Sequence, residues 1–204
     1  MKFFPGYLST EQQKDLLDQL VSAIEAAPFF VPRMPRTGKA FSVRMTNLGP
    51  LGWVADKENG YRYQSTHPET GQNWPQMPQT LLDIWADLTK CSANPEACLV
   101  NYYATSAKMG LHQDRDEETF EAPVLSISLG DRARFRVGGK SRKDKTSSFE
   151  LSSGDIVMLD GDTRLAYHGI DRVIPQSSML LDTHPTVFPD GGRVNLTLRR
   201  VTPF

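Results

Sequence analysis

Apolar residues recur every four positions near the start of the chain, at Leu16, Leu20 and Ile24 with Leu17 and Val21 alongside, and this spacing predicts an amphipathic helix. Ser9 and Thr10 stand three residues before Gln12 and Gln13, the spacing of a capping box, and Pro28 ends the pattern. A second stripe at Leu81, Leu82, Trp85 and Leu88 follows Pro75 and Pro78 and predicts a second helix with Trp85 on its buried side. Past Ala97 the period shortens to two. The run CLVNYYA puts Asn101 and Tyr103 on one strand face and Val100 and Tyr102 on the other. APVLSISLG, ARFRVGG, SSFELSSGD, IVMLDGD and MLLDTHP follow as short strand-like runs separated by Gly, Asp and Ser, the rhythm of a sandwich or jelly roll. In the last run, GGRVNLTLRR, the residues Val194, Leu196 and Leu198 alternate with Arg193, Asn195, Thr197 and Arg199, so the four polar side chains share one face.

Between the helices, residues 29–75 have no such period. Arg33, Arg36, Lys39, Arg44, Lys57 and Arg62 interleave there with Phe41, Trp53, Tyr61 and Tyr63. Cations for phosphates and rings for stacking bases are what a single-stranded nucleic-acid surface needs, although ordinary core packing accounts for any one ring. Trp53 in LGW and Tyr61 in NGYRY lie at Gly-punctuated turns, where a large ring is expected to stand out from the scaffold.

Composition changes this picture little. A length of 204 residues suits one domain with a sizeable core, and a net charge of −1 names no partner. The charge is uneven, because residues 132–145 carry seven Lys or Arg against Asp144 alone. That stretch suits either a nucleic-acid backbone or a solvated hairpin. Cys91 and Cys98 are too few for a disulfide framework, no segment approaches a membrane span, and a reducing cytoplasmic setting is expected.

Candidate chemistry rests on His112 and Asp114 in GLHQDRDE and His168 in LAYHGI. Two imidazoles and one carboxylate form the facial triad that holds Fe(II) and leaves the opposite positions open. At a strand end, residues i and i+2 point the same way, so the third ligand must come from another strand. Surface polar residues with one core histidine would give the same pattern, and His67 and His184, each beside a proline, sit in turn-like surroundings. The last strand adds weight to the triad. Arg193 and Arg199 turned inward need an anionic guest, since an unpaired buried guanidinium is costly. A dicarboxylate would meet both guanidinium forks.

Taken together, MTNLGPLGW at 45–53, GYRY at 60–63, CLVNYYATSAKMGLHQDRDE at 98–117, APVLSISLG at 122–130, RLAYHGI at 164–170 and RVNLTLRR at 193–200 resemble the AlkB family of Fe(II)- and 2-oxoglutarate-dependent dioxygenases, in its nucleic-acid repair branch. The resemblance implies an α+β fold: a double-stranded β-helix (jelly roll) over residues 96–204, with N-terminal helices packed on one sheet and a nucleotide-recognition lid in residues 1–95, as one compact, monomeric unit. It implies His112, Asp114 and His168 as iron ligands. Asn101, Tyr103, Arg193, Asn195 and Arg199 become contacts to 2-oxoglutarate, with Arg199 nearer its keto end, and O2 is the oxidant. Trp53 and Tyr61 match lid positions over a flipped nucleotide, and Asp116 a carboxylate near its exocyclic group. The implied activity is oxidative removal of N-alkyl groups of the 1-methyladenine and 3-methylcytosine type from single-stranded DNA, with double-stranded DNA, RNA or tRNA as alternatives; a non-catalytic jelly-roll binding module is a more distant one. Thr105 and Ser106 replace a Pro-Gly turn common in the family and put lid shape and substrate preference in question, not the ligands.

Overall fold

The structure, a computed structural model, describes residues 1–204. In chain order its elements are β1 (Lys2–Phe4), α1 (Thr10–Ala26), β2 (Arg44–Leu48), β3 (Gly52–Asp56), β4 (Gly60–Gln64), α2 (Gln79–Thr89), β5 (Ala97–Tyr103), β6 (Met109–His112), β7 (Val124–Gly130), β8 (Arg132–Val137), β9 (Ser147–Leu151), β10 (Ile156–Leu159), β11 (His168–Ile174) and β12 (Arg193–Arg199). Ser9 caps α1 through the expected box: its hydroxyl accepts from the Gln12 amide, and the Gln12 side chain accepts from the Ser9 amide. Two orphan donors of the first turn are satisfied in this way.

The strands form a six-stranded sheet in the order β1-β10-β7-β12-β5-β2, a four-stranded sheet β6-β11-β8-β9, and the β3-β4 hairpin. All their ladders are antiparallel. Val194, Leu196 and Leu198 of β12 face outward onto Leu16, Leu17, Leu20, Leu81 and Trp85, so both helices cover one side of the larger sheet. The opposite side faces the smaller sheet across a second cluster that includes Val124, Val157, Phe135 and Ile170. Trp85 is fully buried, and its indole N–H donates to the Ala93 carbonyl. No helix is long and apolar enough to cross a membrane.

Three expectations are corrected. The double-stranded β-helix is not formed: α+β holds, but β1 and β2 edge one sheet, β6 and β9 edge the other, and no ladder closes any sheet into a barrel. Alternation reveals which side chains are buried, not whether two edges meet. The run MLLDTHP is not a strand either. Leu181–Thr183 is a 3-10 turn, with Leu181 buried against the core and the Thr183 hydroxyl donating to the Leu180 carbonyl. Trp53 and Tyr61, finally, lie on β3 and β4 rather than in turns; the flanking Gly52 and Gly60 begin the strands, Gly60 with φ +76°.

Candidate metal centre and its cavity

β6 ends at His112 and β11 begins at His168, and the two are direct partners across the ladder. Asp114 follows two residues beyond β6, buried, with Oδ1 3.5 Å from His112 Nε2 and Oδ2 3.5 Å from His168 Nε2. One donor atom from each residue lies within 4.8 Å of the others. The tautomers follow from the partners. Nδ1 of His112 lies 3.0 Å from the Gly110 carbonyl and Nδ1 of His168 3.0 Å from the Ala166 carbonyl. A carbonyl can only accept, so each Nδ1 carries a proton and, in the neutral ring, each Nε2 keeps its lone pair for a cation.

Electrostatics keep the carboxylate ionised. Burial alone would raise the Asp114 pKa, but Arg199 and the two imidazoles outweigh it and hold the carboxyl well below the usual range. Arg199 Nη2 donates to Asp114 Oδ1 at 2.6 Å, while Oδ2 is buried without a partner in the protein. Burial brings the His168 pKa down to about 4, so that ring is neutral at ordinary pH. For His112 burial acts in the same direction, but the bond to Asp114 and its charge prevail and raise the pKa. An unpartnered carboxylate oxygen flanked by two neutral-tautomer nitrogens fits a divalent iron ion.

The triad opens into a cavity of about 810 Å³ between the sheets. Asn101 and Tyr103 on β5, and Arg193, Asn195, Thr197 and Arg199 on β12, all line it, as the period-two alternation requires. Arg193 is 1% exposed, and the carboxylates nearest the triad do not reach it. Its Nη2 donates to Ser128 Oγ at 3.0 Å and its guanidinium lies 5.2 Å from the Tyr103 ring centroid, but Nε and Nη1 have no partner in the protein. A buried cation with two idle donors calls for an anion. Asn195 donates to Ser126 and to the Ile127 carbonyl, and Burial pushes the Tyr103 hydroxyl up to about 12, so it remains protonated. The wall thus fits an acidic guest at one end and a metal at the other.

At the mouth, Trp53 stacks on Tyr61 with ring centroids 5.5 Å apart and planes 20° from parallel, and its indole N–H donates to Asp116 Oδ2 at 2.8 Å. Across the hairpin these rings are diagonal neighbours, because Ala55 pairs with Tyr61 and Trp53 with Tyr63. Tyr61 is 49% exposed and Trp53 9%.

Sequence reasoning missed a network behind the triad. Arg199 Nη1 donates to Glu117 Oε1 at 2.9 Å, Arg164 Nη2 donates to Glu117 Oε2 at 3.1 Å, and the Tyr63 hydroxyl donates to Glu117. Arg164 Nη1 also donates to the Asp114 backbone carbonyl at 2.7 Å. Glu117 and Arg164 lie inside the GLHQDRDE and RLAYHGI runs, but nothing local distinguishes a buried charge there from a solvated one. Of the expected residues, all converge on this cavity; His67 instead bonds the Pro28 carbonyl and His184 bonds Asp18, both away from it.

Two histidines on adjoining strands and one carboxylate just beyond the first of them, beside a buried arginine wall, define a non-haem iron oxygenase that takes an acidic co-substrate. The comparisons agree, since a model of the 2OG-Fe(II) oxygenase superfamily matches residues 1–199. This chain belongs to that superfamily and, within it, to the AlkB family of Fe(II)- and 2-oxoglutarate-dependent dioxygenases. It is 52% identical over 197 residues to the alpha-ketoglutarate-dependent dioxygenase AlkB homolog of Caulobacter vibrioides, covering 97% of this chain and 86% of that one. It is 42% identical over 137 residues to alpha-ketoglutarate-dependent dioxygenase AlkB of Escherichia coli, covering 65% of this chain and 63% of that one. Among solved structures, that of OsALKBH1 superposes with a TM-score of 0.79 at 31% identity, over 98% of this chain and 97% of that one.

Proposed function

We propose that this enzyme removes alkyl groups from N-alkylated nucleic-acid bases, with single-stranded DNA as the principal substrate. The observation that carries the reading is the stacked Trp53–Tyr61 pair tied to Asp116 over a cavity whose floor is the triad. A base cannot reach such a floor inside a duplex, so it must be single-stranded or flipped out and held by stacking. Trp53 and the His112 ring hold its faces in this proposal. Asp116 supplies a negative charge beside a base that 1-methyladenine or 3-methylcytosine chemistry makes cationic. The Caulobacter and Escherichia relatives are named only as dioxygenases, whereas a 30% identical relative from Schizosaccharomyces pombe is named a tRNA demethylase.

When bound, Fe(II) with 2-oxoglutarate and O2 supplies the oxidising chemistry that hydroxylates an N-alkyl carbon, after which the base is released with an aldehyde. His112 and His168 present Nε2, and Asp114 its free oxygen, to the metal. Arg193, with Tyr103, Asn101 and Asn195 around it, grips the far carboxylate of 2-oxoglutarate. Arg199, whose Nε alone is unpartnered, meets the carboxylate nearer the keto group. In this proposal residues 1–95 supply the lid with Trp53 and Tyr61, residues 96–204 supply the iron and 2-oxoglutarate contacts together with Asp116, and the enzyme works as a monomer in the reducing cytoplasm.

Formaldehyde release from oligonucleotides of one sequence, made as methylated DNA and as methylated RNA, tests the proposal, with His112→Ala as the control. Release from DNA at the higher kcat/KM supports it. Release from RNA alone would reassign the substrate, and 2-oxoglutarate decarboxylation without release from either would remove nucleic acid from the reading.

A further inference from the structure

The basic stretch on β8 has a specific geometry. Ala133, Phe135 and Val137 point into the space between the sheets, so Arg132, Arg134 and Arg136 line the outer face of the smaller sheet. On the neighbouring strand β11 a bulge at Asp171 shifts the register, so that Arg172 lies directly opposite Arg134. Like charges opposite one another across an antiparallel ladder destabilise it. The carboxylates nearby make their bonds to other arginines. Glu150, across from Arg134 on β9, bonds Arg132 at 3.0 Å, and Asp171 bonds Arg136 through both Nε and Nη2. Arg134 bonds only the neutral Ser148 hydroxyl, and Arg172 and Lys108 have no acidic partner.

These residues line a groove of about 550 Å³ bounded by Lys108, Arg134, Arg136, Asp171 and Arg172. It lies back to back with the triad cavity, because Lys108, Met109, Gly110 and Ile170 border both. Strand β6 is therefore a thin wall with the ligand His112 at its end and four cations behind it. Position 110 has no side chain, and nothing lies within 4 Å of where a Cβ would stand.

We propose that this groove is a docking track for the phosphodiester backbone of a nucleic-acid strand running away from the base in the cavity. The proposal rests on the nucleic-acid reading above and adds a surface to it. A polyanion fits because the unrelieved charges are several, exposed and spread along two strands rather than gathered on one point. It supplies a counter-charge to Arg134 and Arg172, neither of which bonds a carboxylate within the protein.

The test uses the full-length enzyme and an unmethylated 15-nucleotide single-stranded DNA, with binding read by fluorescence anisotropy between 50 and 300 mM salt. Each lost phosphate contact lowers the slope of log K against log salt by about 0.7 on a single strand, so Arg134→Gln/Arg172→Gln is expected to lower it by about 1.4. Arg172→Glu is the second variant. It places a carboxylate opposite Arg134, so Tm is expected to hold or rise while oligonucleotide affinity at 50 mM salt falls by about tenfold or more. Neither residue lines the triad cavity, so turnover of a methylated trinucleotide, too short to follow the track, is expected to stay at the wild-type rate. An unchanged salt slope in both variants, or a wild-type enzyme that does not bind the 15-mer, overturns the track. Failure of the nucleic-acid reading is seen separately, as absence of formaldehyde from the methylated trinucleotide with wild-type enzyme.

Discussion

Replacing Glu117 with Gln removes one charge from a buried group of four. Asp114 and Glu117 face Arg164 and Arg199, and their side chains are between 0% and 7% exposed, so solvent screens little of the change. The glutamine keeps the volume but turns an NH2 toward Arg164 or Arg199, donor against donor, and leaves one positive charge in excess. Breaking a buried pair by removing one partner costs about 3–5 kcal/mol. For a chain of this length each kcal/mol moves Tm by about 2–4 °C, so a fall of about 6–20 °C is expected. Urea denaturation of the metal-free protein measures the loss directly. Glu121→Gln, the same change at an exposed position, is the control and is expected to move stability by no more than about 0.5 kcal/mol. In Glu117→Gln/Arg164→Met the excess charge is gone, and the double variant is expected to lose less than the sum of the singles by about 1–3 kcal/mol. A Glu117→Gln loss below about 1 kcal/mol, or strict additivity, would refute the claim that the four charges act as one unit.

Other perturbations reach different parts of the molecule. Trp53→Ala is expected to raise KM for a methylated oligonucleotide while 2-oxoglutarate binding stays near wild type, and unchanged kinetics would remove the indole from the base site. Because the His112 pKa is raised and Nε2 must shed its proton to bind a cation, apparent Mn(II) affinity is expected to rise with pH, by about tenfold per unit below that pKa. His168, neutral down to about pH 4, adds nothing in that window, and a flat profile from pH 6 to 8 would contradict the assignment. Gly192 has φ +93°, and a Cβ there would stand against the Tyr103 carbonyl, so Gly192→Ala is expected to cost about 1–3 kcal/mol and to disturb the strand that carries Arg193.

Local patterning determined a good deal of this protein. The capping box of α1, the buried stripe of α2 with Trp85, and the inward set Arg193, Asn195, Thr197 and Arg199 all depend on neighbours within a few residues, so periods of 3.6 and 2.0 suffice to find them. The ligand triad was also legible, through residue type and spacing. Tertiary structure decided what depends on distant partners. Whether the sheets would close was a matter of edge strands β1, β2, β6 and β9, whose partners no periodicity names. Arg199 meets Asp114, Glu117 and Tyr63 across 85, 82 and 136 residues of chain, and only that convergence turns ordinary surface-type residues into a buried ionic network. The bulge at Asp171 did the same for the basic stretch: a count of charges became a groove only when the shifted register set Arg172 beside Arg134.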